Sequence, residues 1–232
     1  MPQIGCLCHK ALIEWLYGEI AFCQATIEEA IALAKALNDV HGLAVALNYA
    51  TVLGYLEHNP TKVERLATDL IELSTRQNFA LWLAYGAVYR GWARSALGDK
   101  AEGTSWIHHG IEGLRATGSA LNLPLLLALK AEALYLAKRT SEALEAIREA
   151  EAVAERIQLR WCSAELHRLK GVFLAALGAE ETQIEASFSE AIRIAKEQKS
   201  VSLEKRAEAS YAEYRRQKAS GSRPSGVRLS LW

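Results

Sequence analysis

The stretch FALWLAYGAVYRGWARSALGDKAEGTSWIHHGIEGLRATG, residues 79–118, decides the fold of this 232-residue chain. It is one copy of a unit that recurs every 40 residues. Gly98 and Asp99 stand at its centre. Glycine commonly follows the end of a helix and aspartate commonly precedes the start of one. The unit therefore predicts two helices, over about 80–97 and 99–117.

Columns of matching residues mark the repeat along the chain. One column holds a small residue in all five copies: Ala11, Thr51, Gly91, Ala131 and Gly171. Seven residues later, where one helix should end, a second column follows: Gly18, His58, Gly98, Lys138 and Gly178. Each helix pair in such an array buries its apolar face only against its neighbours. The repeat therefore predicts an all-α solenoid.

The helix assignments divide the chain into five pairs and a cap. The predicted units span about 1–38, 41–78, 79–118, 121–158 and 160–200. A capping helix is expected over 201–217, with four residues on its packed face: Leu203, Ala207, Tyr211 and Tyr214. Residues 1–218 would then form one helical repeat domain, and 219–232 a flexible tail rich in Ser, Gly and Arg.

The amino-acid composition limits the classes of partner that the protein is expected to bind. Half of the residues are apolar, and Lys plus Arg equals Asp plus Glu at 27 each. A protein that neutralises a phosphate backbone normally has a basic excess, so no nucleic acid partner is expected. There is no run of about 18 apolar residues, so no membrane association is expected. The start does not resemble a secretory signal. With its four Cys read as reduced thiols, the protein is expected in the cytoplasm.

The repeat resembles the tetratricopeptide repeat (TPR) family. Its pattern is a small residue, a glycine seven residues later and a small residue five beyond that, as in Gly91, Gly98 and Gly103. Phe188-Ser-Glu-Ala191 resembles the second-helix signature of that family. The repeat is longer than the usual spacing of about 34 residues, and most first helices lack the expected Trp and Tyr. The resemblance implies a right-handed α-α superhelix.

Longer phrases resemble the C-terminal helical region of multidomain bacterial signalling proteins. In those proteins a nucleotide-cyclase or DNA-binding domain and a P-loop ATPase domain precede the repeats. Four phrases carry the likeness: 81–85, 90–93, 115–118 and 164–171. The chain contains no Gly-x-x-x-x-Gly-Lys-Ser/Thr, so no Walker-type phosphate site is expected. The resemblance implies an adaptor or sensor module that binds protein, with neither catalysis nor a cofactor.

Four columns of the first helices change character from unit to unit, as expected of positions available to a ligand. They lie on the face that resembles the concave surface of TPR proteins. Eight residues are predicted to line one groove there: Asn48, Tyr55, Tyr85, Trp92, Glu132, Tyr135, Glu165 and Arg168. Aromatic rings with polar tips, beside an amide, carboxylates and a guanidinium, suit an extended peptide or a short helix.

Core packing is the alternative for these aromatic residues. Four aromatic residues fall at a helical spacing that is usually buried: Trp82, Tyr85, Tyr89 and Trp92. For Glu165 and Arg168, three residues apart, the alternative is a solvated ion pair worth under ~0.5 kcal/mol. If Glu132 instead faces the groove near Arg168, the two would form a polar anchor in an apolar channel.

Other residue groups point to no chemistry. Cys6, Cys8 and His9 are close in sequence, but a structural zinc site needs four ligands at wider, paired spacing. Residues two apart on a helix also point in different directions, so no metal site is expected. The adjacent His108 and His109 fit a solvated helix surface. No Ser-His-Asp arrangement is evident, and no enzymatic activity is expected.

The end of the sequence leaves a second function open. Leu229, Leu231 and Trp232 alternate with polar residues and could dock into an apolar groove, in cis or on a neighbouring molecule. A mobile end without a function is the alternative. A homo-oligomerising scaffold, a homodimer through terminal repeats or this tail, is the alternative to a module that binds a foreign peptide.

Overall fold

The computed structural model of the protein describes residues 2–220, and these residues form eleven α-helices. They are α1 (Pro2–Leu16), α2 (Ile20–Ala36), α3 (Val40–Leu56), α4 (Pro60–Gln77), α5 (Ala80–Ala96), α6 (Lys100–Ala116), α7 (Leu123–Leu136), α8 (Thr140–Arg156), α9 (Ser163–Leu177), α10 (Glu181–Glu197) and α11 (Val201–Ala219). They match the five predicted helix pairs and the predicted capping helix, and the helices expected over about 80–97, 99–117 and 201–217 are α5, α6 and α11. The tail positions Leu229, Leu231 and Trp232 lie outside the described residues.

The chain divides into two compact units between Ser119 and Ala120. The amino-terminal unit contains α1 to α6, and the carboxy-terminal unit contains α7 to α11. The division falls between the third and fourth predicted repeats. The assignment of residues 1–218 to a single domain stays a prediction.

Packing inside each unit follows one rule. The first helix of a pair packs against its own second helix and against both helices of the preceding pair. Thus α3 packs on α1 and α2, and α5 packs on α3 and α4. In the carboxy-terminal unit, α9 packs on α7 and α8, and α11 packs on α9 and α10. Within each unit, the apolar face of a pair is therefore covered by the helices that follow it, as the repeat predicts.

The turn between the two helices of each pair explains the second column of matching residues, which begins with Gly18. Gly18, Gly98 and Gly178 have positive φ, and so do His58 (φ 50°) and Lys138 (φ 64°). This left-handed conformation ends a helix by turning the following N–H back onto the last carbonyl groups. Glycine reaches it without strain, whereas His58 and Lys138 do not. The predicted helix ends are therefore confirmed at all five positions.

Close contact between the two helices of a pair explains the column of small residues. A Cβ at Gly91 of α5 would lie 2.5 Å from the carbonyl oxygen of Gly103 and 2.6 Å from Cγ1 of Ile107, both on α6. A Cβ at Gly110 would lie 2.8 Å from the carbonyl oxygen of Ala84. The two backbones meet at these glycines, and a larger side chain would push them apart.

Candidate functional site

Four of the predicted groove residues lie on α3 and α5 of the amino-terminal unit. Asn48 and Tyr55 belong to α3, and Tyr85 and Trp92 belong to α5. All four side chains are buried. The hydroxyl of Tyr89 donates a hydrogen bond to Oδ1 of Asn48 at 3.2 Å, inside the packing between these two helices.

Aromatic rings fill the rest of this interface. The ring of Trp92 meets Tyr55 edge-on at 5.0 Å between centroids, and the His58 ring lies 6.1 Å from Trp92. Tyr85 packs beside Tyr89 at 6.4 Å. Removal from water raises the pKa of Tyr85 to about 12, so its phenol stays neutral and can donate a hydrogen bond at physiological pH. Such ring pairs contribute about 0.5–1.5 kcal/mol each beyond the area they bury.

The other four predicted residues lie on α7 and α9 of the carboxy-terminal unit. Glu165 and Arg168 of α9 form a bidentate pair: Nε of Arg168 donates to Oε2 of Glu165 at 2.9 Å, and Nη2 donates to Oε1 at 2.7 Å. Nη1 of Arg168 donates to Oγ of Ser210 on α11 at 3.0 Å. Nη2 of Arg206 approaches Oε1 of Glu165 at 3.4 Å.

This pair is not the solvated ion pair that the sequence allowed as an alternative. The Glu165 and Arg168 side chains are each 2% exposed, so that interpretation is wrong. Glu132 of α7 is also fully buried. Charges in such an interior are costly unless each is hydrogen-bonded, and losing one partner of a buried pair typically costs about 3–5 kcal/mol.

Tyr135 differs from the other seven predicted residues. Its side chain on α7 is half-buried, and its ring packs against Phe173 of α9 at 5.2 Å. Burial raises the pKa of the Tyr135 phenol above its usual value. It is therefore the predicted groove residue with the most surface open to a ligand.

The structure places the other seven residues inside helix packing and not along an open channel. The expectation of a solvent-open groove therefore does not describe Asn48, Tyr55, Tyr85, Trp92, Glu132, Glu165 and Arg168. Their aromatic members behave as the core-packing alternative expects. Four of the eight belong to each compact unit, and the role of all eight in partner binding stays a prediction.

Two residues of the Arg168 cluster were not predicted. Ser210 and Arg206 lie on the capping helix α11, whose packed face is Leu203, Ala207, Ser210 and Tyr214. Ser210 could have been found from the sequence, because it is a polar residue that falls at helical spacing among the apolar residues of the packed face. Tyr211, predicted on the packed face, is only half-buried and stacks on Phe188 at 5.4 Å.

A cleft of about 590 Å³ opens between α8, α9 and α10 of the carboxy-terminal unit. Its charges are largely paired: Nζ of Lys170 donates to Glu151 at 2.8 Å, and Nη2 of Arg193 lies 2.6 Å from Glu190. Nδ1 of His167 lies 3.4 Å from Glu151. Burial lowers the pKa of His167 despite the carboxylate of Glu151, so this ring is neutral at physiological pH. Nothing in the sequence pattern pointed to this cleft.

Three of the four cysteines are thiols of low reactivity. Cys6 is exposed and Cys8 is buried, so the two thiols face different surroundings. Burial raises the pKa of Cys8, Cys23 and Cys162 to about 12, which keeps them as thiols and removes nucleophilic thiolate at neutral pH. Within residues 2–220 no three His, Cys, Asp or Glu side chains gather as metal ligands would.

The length and apolar character of the helices decide whether any of them could cross a membrane. Among the helices formed by residues 2–220, none combines the length and the apolar character that crossing a bilayer requires.

The chain is similar in sequence to part of a longer bacterial protein. No protein-family model matches the chain. An uncharacterised protein of Rhizobium meliloti (strain 1021) is 25% identical over 203 residues, which are 88% of this chain and 20% of that protein. The chain thus spans about a fifth of the relative's length.

Comparison with solved structures establishes the class of fold. Bacillus thuringiensis PlcR, solved in complex with the peptide PapR7 and DNA, matches with a TM-score of 0.71 and 17% identity over 90% of this chain and 74% of that one. The apo form of RapI matches with a TM-score of 0.62 and 13% identity over 95% of this chain and 86% of that one. Both are TPR-like helical repeat proteins. The protein is therefore a TPR-like solenoid, as the repeat predicts; identities this low carry the fold alone.

Proposed function

We propose that the protein is an interaction module that binds an extended peptide or a short helix along the first helices of its repeats. One observation carries the proposal: charged and amide side chains are buried among the apolar side chains of the first helices. Asn48, Glu132, Glu165 and Arg168 are all 2% exposed or less. A stack selected only for stability would favour apolar residues here, because a buried ion pair is often no better than well-packed apolar side chains. Buried polar groups on three of the first helices, α3, α7 and α9, suit recognition of a peptide backbone or a carboxylate.

The neighbouring structures support this class of function. PlcR was solved with a bound peptide, and it shares the fold of this chain. The same PlcR structure contains DNA, but the present chain has equal numbers of basic and acidic residues. That balance favours a protein or peptide over a phosphate backbone.

The role in the cell follows from the sequence resemblance. We infer an adaptor or sensor module of a bacterial signalling system that acts in the cytoplasm, without catalysis of its own. The similarity to cyclase and ATPase signalling proteins supports this, and so does a relative about five times longer than the region it shares. Four cysteines outside any disulfide agree with a reducing compartment.

Access to the buried residues sets a condition on binding. A ligand can reach Arg168 or Trp92 only when the groups that cover them move aside. The apolar end of the sequence, with Leu231 and Trp232, is a candidate to compete with a ligand for the first helices. The proposal therefore includes stronger peptide binding when residues 221–232 are removed.

Peptide display against the purified protein tests the proposal. Random peptides are selected on the full chain and on a chain ending at Ser220, and binding of the enriched sequences is measured by calorimetry. The variant Tyr135→Phe should weaken binding at least tenfold while melting close to the parent. Arg168→Lys should weaken binding as much but melt at a lower temperature, because lysine cannot form the bidentate pair with Glu165. The matched control Arg193→Lys alters an exposed arginine paired with Glu190 and should bind normally.

Two results would contradict the proposal. One is that neither chain enriches any peptide above background. The other is that Arg168→Lys and Tyr135→Phe, still folded by circular dichroism, bind the enriched peptides as well as the parent. Duplex DNA and ATP serve as further probes, and neither should be bound or turned over. If the protein bound no peptide but shifted duplex DNA saturably in a gel, its function would be nucleic-acid binding and not peptide binding.

A further inference from the structure

The cleft between α8, α9 and α10 opens where the repeat changes a residue at a helix contact. In the amino-terminal unit, a Cβ at Gly86 of α5 would lie 2.7 Å from Cγ1 of Ile71, so α4 packs closely on α5 at this glycine. Leu166, which lines the cleft, stands at the equivalent position of α9. A leucine side chain needs the space that Gly86 leaves to Ile71, and α8 therefore packs less closely on α9.

Two columns that are apolar in the preceding units hold ionisable residues at this cleft. Those residues are Glu151 of α8 and His167 of α9. Their counterparts are Ile31, Ile71 and Ile111 for Glu151, and Leu7, Leu47, Ala87 and Leu127 for His167. Nδ1 of His167 lies 3.4 Å from Glu151, and Nζ of Lys170 donates to the same carboxylate at 2.8 Å. Helix packing alone is served by the apolar residues of the other units, so the joint change points to a polar role for the cleft.

Two opposite charges at one end of the cleft have no ionic partner. Glu155 lies in the last turn of α8, and Arg160 lies in the turn that leads to α9. Both side chains line the cleft and are exposed. Nη2 of Arg160 donates to the neutral amide oxygen of Gln158 at 3.1 Å, and within residues 2–220 neither charged group forms an ion pair. This end can therefore receive one negative and one positive group of a ligand.

The backbone that carries these two charges is held in place. Nε2 of Gln198, which follows α10, donates to the carbonyl oxygen of Arg160 at 2.7 Å. Nε2 of Gln158 donates to the carbonyl oxygen of Glu155 at 2.8 Å. A turn fixed before a ligand arrives loses little conformational entropy on binding.

We propose that this cleft binds a free amino acid with a basic side chain, of the arginine or lysine type. The guanidinium of Arg160 holds the α-carboxylate, and the carboxylate of Glu155 holds the α-ammonium group. The aliphatic part of the ligand lies against Leu166 and Ile194, which are the apolar part of the lining beside Ala154 and Leu159. The site is separate from the peptide site proposed for the first helices and does not depend on it.

The other charges of the lining explain the preference for a basic side chain. Glu190 and Glu197 both pair with Arg193, which leaves one negative charge in excess. Glu151 is balanced by Lys170. A ligand with one positive charge beyond its zwitterionic head therefore balances the lining. The cleft, at about 590 Å³, also lies within the range of about 300–1,000 Å³ that is typical of small-molecule sites.

Isothermal titration calorimetry on the full chain tests the proposal with four probes. L-Arginine or L-lysine should bind saturably, and L-glutamate should bind far more weakly because of the excess negative charge. Agmatine, which is arginine without its carboxylate, should bind roughly tenfold more weakly or worse, because it cannot use Arg160. The proposal is overturned if neither basic amino acid binds, or if agmatine binds as tightly as L-arginine.

Substitutions at the two unpaired charges test the assignment of roles. Glu155→Gln and Arg160→Gln should each weaken the binding of the basic amino acid roughly tenfold or more and melt like the parent, since both side chains are exposed. Arg160→Gln should also remove the discrimination against agmatine. The matched controls Glu145→Gln and Arg148→Gln alter exposed charges of α8 outside the cleft and should bind normally. Tyr135→Phe should bind normally too, which separates this site from the proposed peptide site. Unchanged binding in Glu155→Gln and Arg160→Gln would contradict the proposal.

Discussion

The hydroxyl of Tyr89 and the amide oxygen of Asn48 join two successive first helices through a buried 3.2 Å hydrogen bond. Similar links recur elsewhere at about one repeat length. The Tyr49 hydroxyl is hydrogen-bonded to Nε2 of His9 at 2.8 Å, and Arg168 donates to Ser210. The first helices are thus joined side by side by specific polar contacts as well as by apolar packing, and such contacts fix the register of one pair on the next.

Removing the Tyr89 hydroxyl should destabilise the amino-terminal unit. Tyr89→Phe leaves the Asn48 amide oxygen in a buried site without this donor, and an unmet buried acceptor costs about 1–3 kcal/mol. The urea midpoint, followed by circular dichroism, should fall accordingly. The matched control Tyr17→Phe removes an exposed hydroxyl and should leave the midpoint unchanged. Equal midpoints for both variants would show that the Asn48 contact contributes nothing.

Breaking the buried ion pair of Glu165 and Arg168 should destabilise the protein more than removing the Tyr89 hydroxyl does. Arg168→Met leaves the Glu165 carboxylate without its bidentate partner at 2% exposure, and we expect a loss of about 3–5 kcal/mol in the free energy of unfolding. The double variant Arg168→Met with Glu165→Leu should recover part of that loss, because the stranded charge is gone. Arg193→Met, which breaks an exposed pair with Glu190, should have little effect. A double variant less stable than Arg168→Met would contradict this account.

Replacing either of two glycines of α6 with alanine should have different effects on the melting temperature. A Cβ at Gly103 would clash with the hydroxyl of Ser95 and lie 2.5 Å from the carbonyl oxygen of Gly91, so Gly103→Ala should lower the melting temperature clearly. A Cβ at Gly113 would meet only the Cβ of Ala84, at 3.5 Å. Alanine is a better helix former than glycine by about 1 kcal/mol, so Gly113→Ala should be neutral or stabilising. The reverse order would refute the close approach of α5 and α6.

Acid should destabilise the carboxy-terminal unit through His167. Burial lowers the pKa of this ring below its ordinary value, with Glu151 and Glu190 opposing the shift and Lys170 and Arg193 adding to it. The unfolded chain therefore binds a proton at a higher pH than the folded protein. The stability contributed by the neutral ring is present above pH 6.5, the unfolded pKa, and is lost as the pH falls from there toward the lower folded value.

Thermal melting at a series of pH values measures this effect. The melting temperature of the wild type should drop between neutral pH and pH 5, and His167→Gln should flatten part of that drop. His109→Gln, on an exposed surface of α6, is the matched control and should leave the profile unchanged. A His167→Gln profile that runs parallel to the wild type would exclude His167 as the titrating group.

The fold was predictable because its determinants are local and repeated. The small residue at Gly91 is required where two helix backbones meet, and the residue at Gly98 is required where the chain turns; both requirements recur every 40 residues. Any array of helix pairs with that spacing must stack in chain order. The fold could therefore be derived without knowledge of any distant contact.

The exposure of the candidate site was not predictable in the same way. A stripe such as Tyr85 and Trp92 has the same sequence pattern whether a ligand, solvent or a neighbouring helix covers it. Glu165 and Arg168, three residues apart, are compatible with either a surface pair or a buried one. What decides between them is Ser210 and Arg206, about one repeat further along the chain, and no local rule connects those positions to Arg168.

The outer surface of α11 is charged and that of α1 is partly apolar, so these two helices differ in the neighbours that they can accept. A helix pair that packs on α1 would meet Cys6 and Ile13, which are exposed, whereas their counterparts in the later first helices are buried. A pair added after α11 would have to cover Lys205 and Arg215, and several substitutions would be needed before it could settle. Another helix pair could therefore pack against α1 without further change, whereas packing against the outer surface of α11 would first require substitutions at these charged positions.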